Sequence, residues 1–177
     1  MPRLDPSSLG QHLDALYRAA WALCGSREDA EDLVQDTVTR VLARPRTVNA
    51  GGDRGYLMSA LRNTFYSGLR HRSRRPQTSP MLEGVSAVET RTSVQPAQAA
   101  EVREIFATVA QLPEDFRLAL AAVDILGLSY AEAADALGTS EATITTRIYR
   151  ARQRVARSLS DEPPVVREGS GPDRSLA

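Results

Sequence analysis

GLSYAEAADALGTSEATITTRIYRARQRV, residues 127 to 155, spells two helices joined by a glycine turn. Ser129 can cap the first helix, and Glu132, three residues on, completes a capping box. Gly138 supplies the left-handed backbone position that ends it, and Ser140 caps the helix that follows. From there Ile144, Ile148, Ala151, Val155 and Leu159 recur at steps of four, three, four and four. That spacing stacks them on one side of an α-helix, which must be buried. The other side carries Thr143, Thr146, Arg147, Arg150, Gln153, Arg154 and Arg157, with no acidic residue between Ala142 and Ser160. Such a helix fits the major groove, where hydroxyl and guanidinium groups meet base edges and phosphates. A solvated basic face on a helical hairpin is the plainer alternative. The coincidence of caps, turn, buried stripe and basic face favours a DNA-binding helix-turn-helix.

Composition narrows the remaining classes. The 177 residues allow one domain or two small ones, and 42% hydrophobic residues suffice for real cores. With 22 basic and 22 acidic residues the net charge is zero, so a nucleic-acid site must arise from local segregation of charge. All 22 basic residues are Arg. Cys24 is the single cysteine, which excludes an internal disulfide, and it falls on the apolar side of a predicted helix as a packing residue. His12 and His71 have no Cys or His at metal-ligand spacing, so neither a metal nor another cofactor is expected. No catalytic triad, P-loop or dinucleotide fingerprint is present, and an enzyme is not expected. The lack of a long apolar run or signal-peptide core predicts a cytoplasmic protein with no membrane insertion.

Outward from the helix-turn-helix, the whole chain reads as all-α. Leu9, Leu13, Leu16, Tyr17, Ala20, Leu23 and Cys24 follow helical spacing up to Gly25. Ser26 caps a second helix with Ala30, Leu33, Val34, Thr37, Val38 and Val41 inward, closed by Arg44 and Pro45. A third helix is predicted from about Asp53 to about His71, with Leu57, Ala60, Leu61, Thr64, Phe65 and Leu69 inward. The pattern then dissolves among Pro, Ser, Thr and Gln, as a flexible linker would. Helical signals resume with Val102, Ile105, Phe106 and Val109. After Leu112, Pro113 stands at the first position of another helix, whose predicted stripe is Phe116, Leu120, Val123 and Leu126. The expected organisation is a domain over 1–75, a linker over 76–97, a second domain over 98–160 and a disordered tail over 161–177.

Two further faces carry chemistry. The second helix presents Glu28, Asp32, Gln35, Asp36 and Thr39 away from its apolar stripe. Solvation alone explains many such faces; a docking surface for a basic protein partner is the functional alternative. The third helix carries Asn63, Tyr66 and Arg70 on its polar side and runs into Arg72, Arg74 and Arg75. This suits a phosphate backbone with unstacked bases, although Arg at a helix carboxyl end also complements the helix dipole.

Six motifs in order then carry a resemblance: DAEDLVQDT (29–37), GYLMSALRN (55–63), the basic run to Arg75, LPEDFR (112–117), GLSYA (127–131) and RIYRAR (147–152). Together they resemble bacterial sigma factors of the sigma-70 family, extracytoplasmic-function (ECF) group, over roughly Leu9 to Leu159. The resemblance implies a region 2 three-helix bundle and a region 4 helix-turn-helix joined by a flexible linker. It implies that Glu28, Asp29, Asp32, Leu33, Gln35, Asp36 and Thr39 dock on the clamp helices of the largest subunit of the RNA polymerase core. Region 4 would meet the flap region. It assigns Asn49, Asp53, Arg54, Tyr56, Asn63, Tyr66, Arg70, Arg72, Arg74 and Arg75 to recognition and melting of the promoter −10 element. Thr139, Ser140, Glu141, Thr143, Thr145, Thr146, Arg147, Arg150 and Arg154 are assigned to the −35 duplex. Many relatives are held by an anti-sigma factor, a partner nothing in this sequence names. Thr145, Ser67 and Tyr56 replace the family's usual Lys, Asp and Trp, so promoter sequence does not transfer from relatives. A free-standing helix-turn-helix regulator of operator DNA is the competing function, and it leaves the acidic second helix and basic third helix unused.

Overall fold

The computed structural model describes residues 6–43, 52–74 and 96–160. Asn49, Arg75, nearly all of the expected linker and the carboxy-terminal tail lie outside them. Seven α-helices and one π-helical turn make up these segments, and no strand occurs among the described residues. Helices α1 (Pro6–Cys24), α2 (Arg27–Ala43) and α3 (Asp53–Arg74) form the amino-terminal bundle. Helices α4 (Pro96–Ala110), α5 (Glu114–Leu120), α6 (Tyr130–Leu137) and α7 (Glu141–Ser160) form the carboxy-terminal bundle, with the π turn Ala121–Ile125 between α5 and α6.

Local chemistry sets the helix ends. Gly25 closes α1 at φ 79°, and a Cβ there would lie 2.7 Å from Cβ of Ala110. Only glycine satisfies both the backbone angle and that approach. Ser26 Oγ accepts from Asp29 N at 3.1 Å, satisfying a free N–H at the start of α2. Ser129 and Glu132 close the expected capping box, and Gly138 ends α6 at φ 65°. Thr143 N donates to Ser140 Oγ at 3.2 Å to start α7.

The apolar stripes bury largely as spaced. Leu16, Leu23, Ala30, Leu57, Leu61, Ile144, Ile148 and Ala151 are almost wholly inaccessible. Thr37 is buried too, its hydroxyl donating to the Leu33 carbonyl at 2.7 Å. Several expectations need correction. Helix α3 runs to Arg74 rather than stopping near His71. Leu13, Leu69, Val102, Ile105 and Leu159 are exposed, because they lie at edges where no neighbouring helix covers the stripe. Pro113 stands at the cap ahead of α5 with extended ψ, not inside its first turn.

The largest departure follows α5. A single amphipathic helix through Phe116, Leu120, Val123 and Leu126 gives way to the π turn, in which Leu126 N bonds the Ala121 carbonyl at 3.0 Å. Leu118, Ala119, Leu120, Ala121 and Ala122 are consecutively buried, since this stretch faces both its own bundle and α1. A segment covered on several sides has no single stripe for periodicity to detect.

The same packing joins the bundles. Helix α3 lies against α6, while α1 touches α4, α5 and the π turn. Trp21 is stacked on Phe106 with ring centroids 4.3 Å apart and planes 3° from parallel. One continuous core cluster runs through both bundles.

Candidate functional site

Helix α7 is positioned by its buried stripe and by acids on neighbouring elements. Arg152 donates through Nε and Nη2 to Asp124 at 3.1 and 2.5 Å, and Arg147 Nη2 donates to Asp115 at 2.5 Å. Arg154 lies over the Phe116 ring, 4.9 Å from its centroid. These contacts fix the rotation of α7 about its axis. Glu141, Thr145, Thr146 and Arg150 remain exposed, as does Ser140 before them. Thr139 and Thr143 are half-buried. Thr145 and Thr146 each donate back to the carbonyl four residues earlier, leaving oxygen lone pairs and methyls outward. The residues expected to face a groove are therefore largely exposed, with Arg147 half-buried at their edge and engaged by Asp115.

Helix α2 turns its carboxylates outward. Glu28, Asp32, Gln35, Asp36 and Thr39 are exposed, whereas Leu33 is buried beneath them. Asp29 is half-buried, accepts from Ser26, and pairs with Arg72 at 2.6 Å. Between α2, α3 and the end of α1 runs a groove of about 190 Å³ with Leu33, Phe65 and Leu69 among its apolar walls and Asp29, Asp32 and Asp36 on its acidic side. Cys24 also lines it; burial, and secondarily Asp29, pushes its thiol up to about 11, so it stays protonated at neutral pH.

Helix α3 divides its expected residues between two sides. Tyr56 and Asn63 open onto a cavity of about 490 Å³ shared with Arg40, Val41 and Ser59. Arg70 and Arg72 are exposed near the helix end; Asp53 is half-buried in its first turn. Arg54 and Tyr66 instead face the carboxy-terminal bundle: Arg54 Nη1 donates to the Leu126 carbonyl at 3.4 Å, and the Tyr66 hydroxyl lies near the Glu114 carboxylate. Desolvation first, then the interaction with Glu114, raises the Tyr66 hydroxyl above the ordinary tyrosine value. Arg74 belongs to the last turn of α3.

Two family models match this chain in the order of its bundles: Sigma-70 region 2 over residues 9–75 and Sigma-70, region 4 over residues 103–155. It is 35% identical to the ECF RNA polymerase sigma factor EcfG of Rhodopseudomonas palustris, over 92% of this chain and 87% of that protein. The chain belongs to the ECF group of the sigma-70 family. It is also 34% identical to the ECF sigma factor SigE of Mycolicibacterium smegmatis, over 88% of this chain but 61% of that protein's length. Among solved structures, sigma factor RpoE in complex with the anti-sigma factor NepR from Bartonella quintana superposes with a TM-score of 0.67 at 29% identity. That match covers 89% of this chain and 97% of RpoE. The family is one of transcription initiation factors, and no described helix is long and apolar enough to cross a membrane.

In this ECF sigma factor, sequence reasoning missed Trp21, Arg62 and Arg117, which lie between the bundles. Arg117 of α5 reaches the Leu23 carbonyl of α1, and Arg62 and Tyr66 form one wall of a cleft whose other wall includes Thr139 and Arg147. Trp21 lies off the predicted α1 stripe because its partner is Phe106 on the other bundle. The only sequence signal was placement: Arg117 ends the LPEDFR motif, and Arg62 stands one turn before Tyr66.

Proposed function

We propose that the chain acts as a dissociable promoter-specificity subunit of RNA polymerase, with its chemistry divided among three surfaces and no catalysis of its own. The α2 carboxylates dock on the clamp helices of the core, region 4 meets the flap, α3 engages the −10 element, and α7 reads the −35 duplex. The domain limits that go with this reading are 1–75 and 98–160, with 76–97 as connector. Its place of action is the cytoplasm, where the template is.

The observation that carries the reading is the opposition of exposed charge: Asp32 and Asp36 on α2 against Arg150, Arg154 and Arg157 on α7. Carboxylates repel phosphate, so one chain with both surfaces suits two partners of opposite charge. An operator-binding regulator needs only α6 and α7. An anti-sigma factor is a further proposed partner, supported by the complex of RpoE with NepR.

The test is initiation by purified core polymerase on genomic DNA with this chain added. Promoter-specific starts are expected. Asp32→Lys with Asp36→Lys is expected to weaken core binding by at least about tenfold while Arg150→Ala leaves it unchanged. Core affinity that ignores both carboxylates would remove the docking assignment, and operator binding with no effect on core polymerase would favour the regulator.

A further inference from the structure

Helix α7 carries five arginines, Arg147, Arg150, Arg152, Arg154 and Arg157, against one acid, Glu141, in its first turn. The carboxylates of Asp115 and Asp124 already neutralise Arg147 and Arg152. Arg150, Arg154 and Arg157 are left exposed and without a carboxylate partner among the described residues. The cationic face of the helix therefore rests on three guanidiniums, and one dianion set beside them would cancel about two of their charges.

Most serine and threonine hydroxyls of this bundle are spent on local structure. Ser129 and Ser140 cap helices, Thr143 hydrogen-bonds Ser140, and Thr145 and Thr146 donate back to carbonyls of α7. At the seam between the bundles, Ser59 donates to the Ala136 carbonyl. Ser158 and Ser160 differ: both are exposed in the last turn of α7, and neither side chain has a hydrogen-bond partner among the described residues. The final carbonyls of a helix have no intrahelical donor, so this turn can open to an enzyme without disturbing the core. Ser158 directly follows Arg157 and comes four residues after Arg154, which places it beside Arg154 on the helix surface. Ser160 is followed by Asp161 and Glu162, carboxylates that oppose an active site selecting for arginine.

We infer that Ser158 is a phosphorylation site, at which a serine kinase that selects arginine ahead of its target switches off the cationic face of α7. This rests on the reading of α7 as the −35 helix. The γ-phosphoryl group of a nucleoside triphosphate passes to Ser158 Oγ. A P–O bond to Oγ forms, the bond from that phosphorus to the β–γ bridging oxygen breaks, the nucleoside diphosphate leaves, and the hydroxyl proton goes to the kinase's base. The product carries about 1.5 to 2 negative charges at neutral pH. Arg154, one turn earlier, becomes its charge-assisted donor and leaves the Phe116 ring, whose centroid lies 4.9 Å from the guanidinium. About one of the three cationic charges then remains for the duplex, whose phosphates the new group repels. The phosphate also faces the negative end of the helix dipole, which loosens the last turn. The α2 carboxylates belong to the other bundle, so the modification acts on promoter reading and leaves core docking in place.

The test has two arms, both on the full chain. Incubated with ATP and a purified arginine-directed serine kinase, the chain is expected to gain one phosphate, mapped to Ser158 by tandem mass spectrometry and lost in Ser158→Ala. Phosphate confined to other hydroxyls, or none at all, overturns the site.

In the second arm phosphoserine is encoded at position 158, and holoenzyme is titrated with a −35 duplex at several salt concentrations. Binding is expected to weaken at least about tenfold at about 0.1 M salt, and the slope of log affinity against log salt to become shallower by about two. Phosphoserine in place of Gln11, an exposed residue of α1, should leave both quantities unchanged. No loss from position 158, or an equal loss from position 11, overturns the switch. A chain that binds no −35 duplex in any form, Ser158→Ala included, sinks the reading of α7 and the switch with it. Normal binding by the unmodified chain and undiminished binding by the phosphorylated one sink the switch alone.

Discussion

The two bundles handle surface charge in opposite ways. On α2 Asp29 is paired across to Arg72 of α3, while Asp32 and Asp36 are exposed. On α7, Arg147 and Arg152 are tied to Asp115 and Asp124, and Arg154 is laid on Phe116. Exposed ion pairs of this kind are worth roughly 0–1 kcal/mol each, so their value is orientation more than stability. On the proposed reading, the difference is that α7 holds a fixed rotation suited to meeting base edges, whereas a docking face needs only its sign of charge and a groove beneath it.

Core truncation gives the largest effect and tests whether the faces depend on their bundles separately. Leu61→Ala in the amino-terminal bundle and Ile148→Ala in the carboxy-terminal one each remove a fully buried side chain. Each is expected to cost about 2–5 kcal/mol in denaturant unfolding. Residue-resolved hydrogen exchange sharpens the contrast: Ile148→Ala should expose α5 to α7 first, and Leu61→Ala α1 to α3. Equal loss of protection everywhere in both variants would show that the faces share one support.

Within α7 the contrast narrows to single arginines. Arg150 is exposed on the expected groove face, while Arg152 is held by Asp124. Arg150→Ala is expected to weaken −35 duplex binding by about 1–3 kcal/mol in holoenzyme, measured by titration at fixed salt. Arg152→Ala should change it by less than about 1 kcal/mol, through orientation alone. Reversed sizes would mean that the groove face is rotated toward the Arg152 side.

What the sequence disclosed follows the same division. Each feature of the helix-turn-helix is local: a cap acts over three residues, a glycine turn over one, and a stripe over a single helix, so Ser129, Gly138, Ile144 and Ile148 were readable from spacing. The acidic face of α2 was readable for the same reason. Trp21, Arg117 and the π turn were not, because each owes its place to an element distant in the chain. Leu118 to Ala122 illustrates the limit: burial from two directions erases the polar face by which a helix announces its orientation. The split of α3 between Asn63, which faces outward, and Tyr66, which faces the seam, likewise depends on α5 and α6.

The smallest effects test how local that legible chemistry is. Ser129 accepts from Glu132 N at 3.2 Å, and the Glu132 carboxylate accepts from Ser129 N at 2.8 Å. Ser129→Ala is expected to cost about 1 kcal/mol, with faster exchange confined to α6. The Ser129 side-chain and backbone hydrogen bonds hold Glu132 below the ordinary carboxylate value. Its folded pKa is therefore the lower one, so its contribution is complete above the unfolded carboxylate range and fades as pH falls through the folded value. Glu132→Gln keeps an acceptor for both Ser129 donors and removes the titration. Its acid limb of stability should be slightly flatter than that of the wild type, with little change at neutral pH. An identical acid limb in the two proteins would mean that the capping carboxylate titrates alike folded and unfolded, and that the turn is fixed by Gly138 and by packing beneath α6.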